Sequence, residues 1–495
     1  MGEIRVALRK LWASLPVNRE RTITTHEGGE FVHRSFETLA NDTAAAIERL
    51  ESAGLRSGMR VGIISENSYW WLVYDLALIE MHAVSVPMPE TDAKASDESL
   101  FDINELNLLL VSSRYAPPDM DARPHLMSMG GDNPPGREAV RSMPARCVMR
   151  DDDHAYVVGS GTTGGRKGMI VSRRGVEAII EEFGGTFGTP PGDSILIFMP
   201  LWAHQQRLFF YGALAFAMDL IVVDSAMVFH AVRDLQPTVI VGPPVFYETF
   251  QRQNLCRWFS PRTRVLITGM AKARLSTLQY FRELRLPLYE VYALTETGIV
   301  SANSPSADRL GSAGKPVPGT EVRIAEDGEI FVKKPHFQTR AYFRGGPEGA
   351  LEWNSGDWFA TGDVGHFDSD GFLYVDGRKD DTITNAAGQK IQPAAIEADL
   401  ENSPYVRKAV VLQDGDHPFL FAVIDSDQRG NPDLDGHLQI LVDSANAKLP
   451  AWFRIERFVV SPEAFTPQNG LLTPNFKVAR SRVAQAFAYK AEDLK

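Results

Sequence analysis

Short apolar runs alternate with amphipathic stretches along most of this chain, and that alternation restricts the fold more than any other feature. Residues 61–64, 83–87, 194–199, 220–223, 238–241, 265–268 and 288–292 each read as a short buried strand. Helical segments separate them. Residues 35–53 place Phe36, Leu39, Ala40, Ala46, Ile47 and Leu50 on one stripe broken only by Thr43, with Ser35 as N-cap and Gly54 as stop. A second helix is predicted from about Ser68 to Met81. Strands apolar on both faces and joined through helices build a largely parallel, helix-covered sheet, so the expected class is α/β.

The pattern changes after Gly311. Residues 328–332, 353–359 and 367–375 alternate and turn like antiparallel hairpins, which predicts a β-rich subdomain. The polar run GRKDD at 377–381 follows a strand, and from Pro393 a fresh α+β pattern begins. It comprises a helix at 394–401, strands at 407–413 and 418–425, and a helix at 434–448. The expected division is a large domain over 1–379 and a small one over 380–495. Residues 100–150 are the least regular, and 132–136 read as a surface connection.

Composition excludes several functions. The net charge of −12 argues against a nucleic-acid partner, because phosphate backbones need a basic face. Cys147 and Cys256 lack metal spacing and read as free thiols of a reducing cytoplasm. The first fifteen residues lack the apolar core of a signal peptide, and no apolar run reaches the length of a membrane span. A cytoplasmic enzyme acting on a small molecule is therefore expected; the sequence leaves its oligomeric state open.

Residues 155–171 read AYVVGSGTTGGRKGMIV. Two apolar strands flank a loop whose glycines let backbone N–H groups approach a ligand closely. Ser160, Thr162 and Thr163 add hydroxyl donors, Lys167 adds charge, and Gly161 and Gly164 lie among them. Such a loop suits a polyphosphate. It is not a Walker loop, which needs Lys followed by Ser or Thr at the head of a helix, whereas Lys167 precedes Gly168.

The loop closely resembles the phosphate-binding signature of the adenylate-forming superfamily (acyl-CoA synthetases, aryl-CoA ligases, luciferases, nonribosomal adenylation domains), usually T-S-G-T-T-G-x-P-K-G. Gly159 stands where Thr is usual and Arg166 where Pro is usual. Further segments match in the same order. YALTET at 292–297 resembles Y-G-L-T-E-T, TGD at 361–363 and the following Arg378 resemble the ribose-binding pair, and LTPNFKVAR at 472–480 resembles the terminal motif of the long-chain acyl-CoA branch. The resemblance spans roughly 30–485.

It implies ATP and Mg²⁺ as cofactors, and CoA as second substrate. Lys477, Glu296 and Thr295 would be catalytic, with Glu296 and Thr162 at the metal. Ser160, Gly161, Thr162, Thr163, Gly164, Lys167, Tyr292, Ala293, Asp363, Val375 and Arg378 would bind ATP. The small domain would be mobile and pivot at Asp380, exchanging Lys477 for a CoA-approach loop at Ala387 and Gly388. Trp202, Ala203, His204, Tyr247, Gly269, Met270, Ala271, Lys272 and Leu294 would line the substrate pocket.

Several positions depart from the family pattern. Met270 replaces a glycine, implying a shorter or redirected pocket, and Lys272 adds a cation. Ala203 stands where histidine is usual, with His204 one residue late, and Ala387 replaces a glycine that faces CoA. Four readings remain open: an acyl-CoA ligase for a small, aryl or atypical acid; an adenylating enzyme for an unusual acceptor, such as an ATP-dependent diazotase activating nitrite; an enzyme forming thioesters from supplied acyl-adenylate; and a nucleotide-binding regulator.

Overall fold

The computed structural model describes residues 6–95, 98–120, 123, 125–130, 139–142, 150–160, 166–190, 192–344, 353, 356–385, 387–413, 419–473 and 477–487. Its largest element is a nine-stranded sheet in the order Lys315–Pro316, Gly298–Ala302, Leu288–Leu294, Val265–Thr268, Val239–Gly242, Ser194–Ile197, Asp219–Val222, Thr22–Glu27, Glu30–Ser35. The strands from Leu288–Leu294 to Thr22–Glu27 pair in parallel, and antiparallel partners close the sheet at either end. A seven-stranded sheet runs Thr339–Arg344, Arg166–Ser172, Asp153–Ser160, Val84–Pro87, Arg60–Ile64, Leu108–Val111, Leu126–Ser128.

A helical layer lies between these sheets. Phe36–Ser52, Tyr69–Glu80, Arg173–Phe187 and Gln205–Ala215 share one apolar cluster with Val61, Ile63 and Val171 of one sheet and Ile195, Val239 and Ile267 of the other. The alternate residues point the opposite way: Leu196, Ile240 and Leu266 meet an outer set of helices, whereas Ile64, Val86 and Leu109 join a third cluster. Both faces of these strands are thus covered, which is why they read as unbroken apolar runs.

The helix limits follow from capping. Ser35 and Ser68 accept the backbone N–H of Thr38 and Trp71. At the far end of the first helix Leu55 N–H reaches Leu50 C=O and Gly54 N–H reaches Glu51 C=O, a Schellman pair that needs the positive φ of Gly54.

Glu321–Ile324, Glu329–Lys333, Phe359–Phe367 and Leu373–Arg378 form the anticipated antiparallel sheet. Beyond it, Lys408–Gln413, Leu420–Asp425 and Ile455–Val460 make a three-stranded sheet. Ala409, Val411, Ala422 and Ile424 pack on Pro393–Glu401 and Leu434–Asn446, while Val410, Leu412, Phe421 and Val423 face Arg480–Phe487. The period of two places successive residues on opposite faces.

One expectation needs correction, and two elements had no counterpart in the sequence reading. The segment 100–150 is more regular than its composition indicates, since Leu108–Val111 and Leu126–Ser128 are strands of the seven-stranded sheet; residues 132–136 lie outside the described set. The strand Ile455–Val460 and the helix Arg480–Phe487 carry no strong pattern, because the first is only partly buried beyond Ile455 and the second buries only Val483 and Phe487.

Candidate active site

The arms that flank the glycine loop are paired strands. Asp153–Ser160 and Arg166–Ser172 pair antiparallel, with Gly159 opposite Lys167 and Ser160 opposite Arg166. Gly161, Thr162, Thr163 and Gly164 lie outside the described residues, as do the side chains of Ser160 and Lys167. The strand Thr339–Arg344 continues the sheet beside the second arm, with Tyr342 opposite Met169.

Leu288–Leu294 approaches from the larger sheet. Its register shifts at Tyr292/Ala293, a bulge that re-aims the residues following it. Tyr292 donates its hydroxyl to Asp363 Oδ2 at 2.5 Å. Arg378, the cross-strand partner of Asp363, donates to Asp363 Oδ1 at 3.0 Å and to the Thr361 carbonyl at 3.1 Å. Gly362 has φ +69°, and a Cβ there would lie 2.9 Å from Arg378 Nη2, so glycine makes room for the guanidinium. A few residues on, Glu296 Oε1 accepts the Tyr342 hydroxyl at 2.9 Å. Burial and a neighbouring carboxylate hold both tyrosines well above the usual phenol range, so both remain protonated donors.

Lys477 comes from the small domain. Its N–H donates to Thr473 Oγ1 at 3.1 Å and its carbonyl accepts Thr473 N–H at 2.7 Å, next to the bridge between Leu472 and Val478. Surrounding protein lowers its pKa; Asp363 and Glu296 pull it up and Arg378 pushes it down. The side chain is nevertheless open to water. Asp363, Arg378 and Glu296 of the large domain are thus charges that act on Lys477 from the other part of the chain. Thr295 and Leu294 are partly exposed and Ala293 is exposed. Val375 packs on the Val300–Leu373 cluster and offers its carbonyl to Lys272 Nζ at 3.4 Å. Lys272 therefore reaches the strand that leads to Arg378.

The segment 269–274 forms the other side. Gly269 is buried, and a Cβ there would lie 3.0 Å from the Val291 carbonyl. Met270 has φ +70°. Among the described residues the other non-glycine positive φ values, at His82, Glu105, Ala217, Gln236, Asn254 and Arg285, all follow helices, whereas Met270 follows the strand Val265–Thr268. Its side chain packs against the cluster of Phe246, Tyr247 and Phe281. Ala271 and Lys272 are exposed. Beneath them Glu290 Oε1 accepts Ala273 N–H at 2.9 Å while Oε2 has no partner, and burial pushes this carboxyl up to about 7. Sequence reasoning missed Glu290 and Tyr342; only strand pairing brings them to the site.

Two proposed pocket residues are corrected. Tyr247 is fully buried, and its hydroxyl is engaged by the carbonyls of Ile240 at 3.1 Å and Ile267 at 2.9 Å, which makes it a core residue. His204 is buried against His154, with ring centroids 6.1 Å apart, and burial beside Arg207 keeps it neutral. Trp202 and Ala203 stay partly exposed. Asp380 is exposed after Leu373–Arg378, and Ala387 and Gly388 are exposed at the turn joining Ile383–Thr384 to Lys390–Ile391.

Paired strands that hold Tyr292 and Arg378 on Asp363, with a separate C-terminal unit carrying Lys477, fit a nucleotide-dependent activating enzyme. Residues 12–343 match the AMP-binding enzyme family and residues 380–494 its C-terminal domain, so the chain belongs to that family. It is 26% identical to the long-chain-fatty-acid–CoA ligase FadD15 of Mycobacterium bovis, over 92% of this chain and 91% of that one. It is 27% identical to the 2-succinylbenzoate–CoA ligase of Bacillus licheniformis, over 76% and 81%. Its fold matches the anthranilate CoA ligase AuaEII, crystallised with anthranoyl-AMP, with a TM-score of 0.83 at 19% identity over 99% and 98% of the chains.

Proposed function

We propose that this protein activates a small or aryl carboxylic acid as its acyl-adenylate and transfers the acyl group to CoA, working in the cytoplasm. What supports this reading is the bonding of Tyr292 and Arg378 to Asp363, together with the influence of Asp363, Glu296 and Arg378 on Lys477 of the C-terminal domain. Asp363, held by Tyr292 and Arg378, presents a carboxylate suited to two vicinal ribose hydroxyls. An oxygen of the substrate carboxylate bonds to the α-phosphorus as the bridge to the β-phosphate breaks, and pyrophosphate leaves with that electron pair. Lys477 and Arg378 place positive charge where negative charge gathers.

Glu296 fits a Mg²⁺ held mainly by phosphate oxygens, because its recorded partner is a neutral phenol and no cluster of three acidic, His or Cys ligands exists among the described residues; the ion would neutralise phosphate charge. In the second step the CoA thiolate attacks the acyl carbon, the bond to AMP breaks, and the thiol proton passes to water. The preference for a small or aryl acid rests on Met270, whose side chain occupies space a glycine leaves open, and on the 2-succinylbenzoate–CoA ligase likeness.

Pyrophosphate release over aliphatic acids of increasing length, aryl acids and nitrite with an aminoaryl acid, with and without CoA, tests the reading, alongside thioester formation from supplied acyl-adenylate and CoA. Turnover with a short or aryl acid, and acyl-CoA formation when CoA is present, is the expected result. Turnover only with nitrite and the aminoaryl acid, only with supplied acyl-adenylate, or with none of these despite tight ATP binding would overturn it in favour of a diazotase, a half-reaction enzyme or a regulator.

A further inference from the structure

The segment that walls the acid side also holds the small domain. Arg274 stands at the head of the helix Leu275–Glu283, and its Nη2 donates to two carbonyls of the C-terminal domain, Val406 at 3.2 Å and Arg407. Both belong to rigid structure: Val406 is buried in that domain's core, and Arg407 leads into Lys408–Gln413 with its side chain tied to Asp425. Glu248 Oε1 lies 3.4 Å from Arg274 Nε and balances the cation from within the large domain. The neighbouring cross-domain pair of Arg252 and Asp427 is 3.0 Å long but joins side chains 48% and 56% exposed, so water screens it strongly. Arg274 is only 17% exposed, and charge-assisted bonds to carbonyls in such a place are the stronger kind.

We infer that Arg274 docks the small domain in the orientation that delivers Lys477, and is a positioning residue for the adenylation step alone. The inference rests on the proposed activity for its catalytic readout. The acceptors are backbone carbonyls, so they can be released to water when the domain turns; Arg274 then keeps Glu248, and no buried charge is stranded. Such a contact suits a domain that has to leave as well as arrive. It also joins the clamp to the pocket, since Met270, Lys272 and Arg274 share one short segment fixed by the bond from Ala273 to Glu290.

The test uses the full chain carrying Arg274→Ala or Arg274→Lys. Acid-dependent pyrophosphate release should fall about tenfold or more in Arg274→Ala, the size expected for losing hydrogen bonds from a charged donor. Thioester formation from synthetic acyl-adenylate and CoA should stay within about twofold, since it needs no such docking. Arg274→Lys should recover part of the first activity. Equal loss of both half-reactions would overturn the inference. An activity-independent arm places dyes at Arg257→Cys and Ile440→Cys, both exposed sites, one on each domain, in a Cys147→Ser background. Energy transfer with ATP present should change on adding Arg274→Ala, and unchanged transfer would refute the docking role. If no acid is turned over by the unaltered chain, the proposed activity fails while this arm still judges the clamp.

Discussion

Position 270 shows how a single backbone angle records a functional choice. A left-handed φ costs a non-glycine residue about 1–2 kcal/mol, yet Met270 adopts +70° where its strand ends. Met270→Gly would relieve that strain and lose about 1 kcal/mol of partly buried side chain. The two effects offset, so the melting temperature should move little while kcat/KM for longer acids rises; no gain with any longer acid would mean that Met270 does not close the pocket. Lys477→Ala should lower adenylation by a factor on the order of 10² to 10³, as expected for removing a group that meets transition-state charge, and spare thioester formation from supplied acyl-adenylate. Equal loss of both would deny Lys477 that role. Lys477, Glu296, Asp363 and Arg378 could be named as candidates from the sequence because each sits in a string of fixed order. Glu290 and Tyr342 were not, because a side chain that acts across strands leaves no local trace.

At the level of elements, many strands of the large domain were legible because covering both sheet faces demands unbroken apolar runs, whereas Leu108–Val111 and Leu126–Ser128 were hidden in a segment of irregular composition. What period could not convey is which strands become neighbours. The strand Leu288–Leu294 lies beside Val265–Thr268, and this sets Glu290 beneath the pocket segment with Thr268 as its register partner. Thr268 Oγ1 and Glu290 Oε2 are both buried without partners. Burial raises the Glu290 carboxyl from 4.5 to about 7. Because the folded state holds this proton more tightly than the unfolded chain, its stabilising contribution is complete below the unfolded value and is lost as pH rises through about 7. Glu290→Gln should therefore flatten the fall in melting temperature between pH 5 and pH 8, and an unchanged slope would assign that fall to other groups. The paired carboxyl of Glu182, also raised to about 7 and joined to Lys334 at 2.7 Å, supplies the part of the slope that should remain.

Across the whole molecule, the two large sheets meet through a helical layer that carries a fully buried ion pair. Arg207 reaches Asp75 at 2.5 Å and also engages Ser85 and Tyr211. Desolvation pushes the Asp75 carboxyl upward, while the attraction of Asp75 and Tyr211 holds the Arg207 guanidinium more firmly protonated against its own burial, so the cost of burial and the mutual attraction oppose one another in this pair. Asp75→Ala should destabilise the protein by about 3–5 kcal/mol in urea unfolding, because it strands a buried cation. Adding Arg207→Met should recover most of that loss, and failure to recover it would mean that the pair contributes stability of its own. The seat proposed for ribose has a consequence of a different kind. Tyr292 and Arg378 are both already bonded to Asp363, so little ordering is required when a nucleoside arrives. A seat prepared in this way takes much of its hold from the nucleoside, which monophosphate and triphosphate share. The spent monophosphate will therefore contend with fresh triphosphate for the same place, and competitive inhibition by AMP in steady-state assays will reveal how far the enzyme is throttled by its own waste.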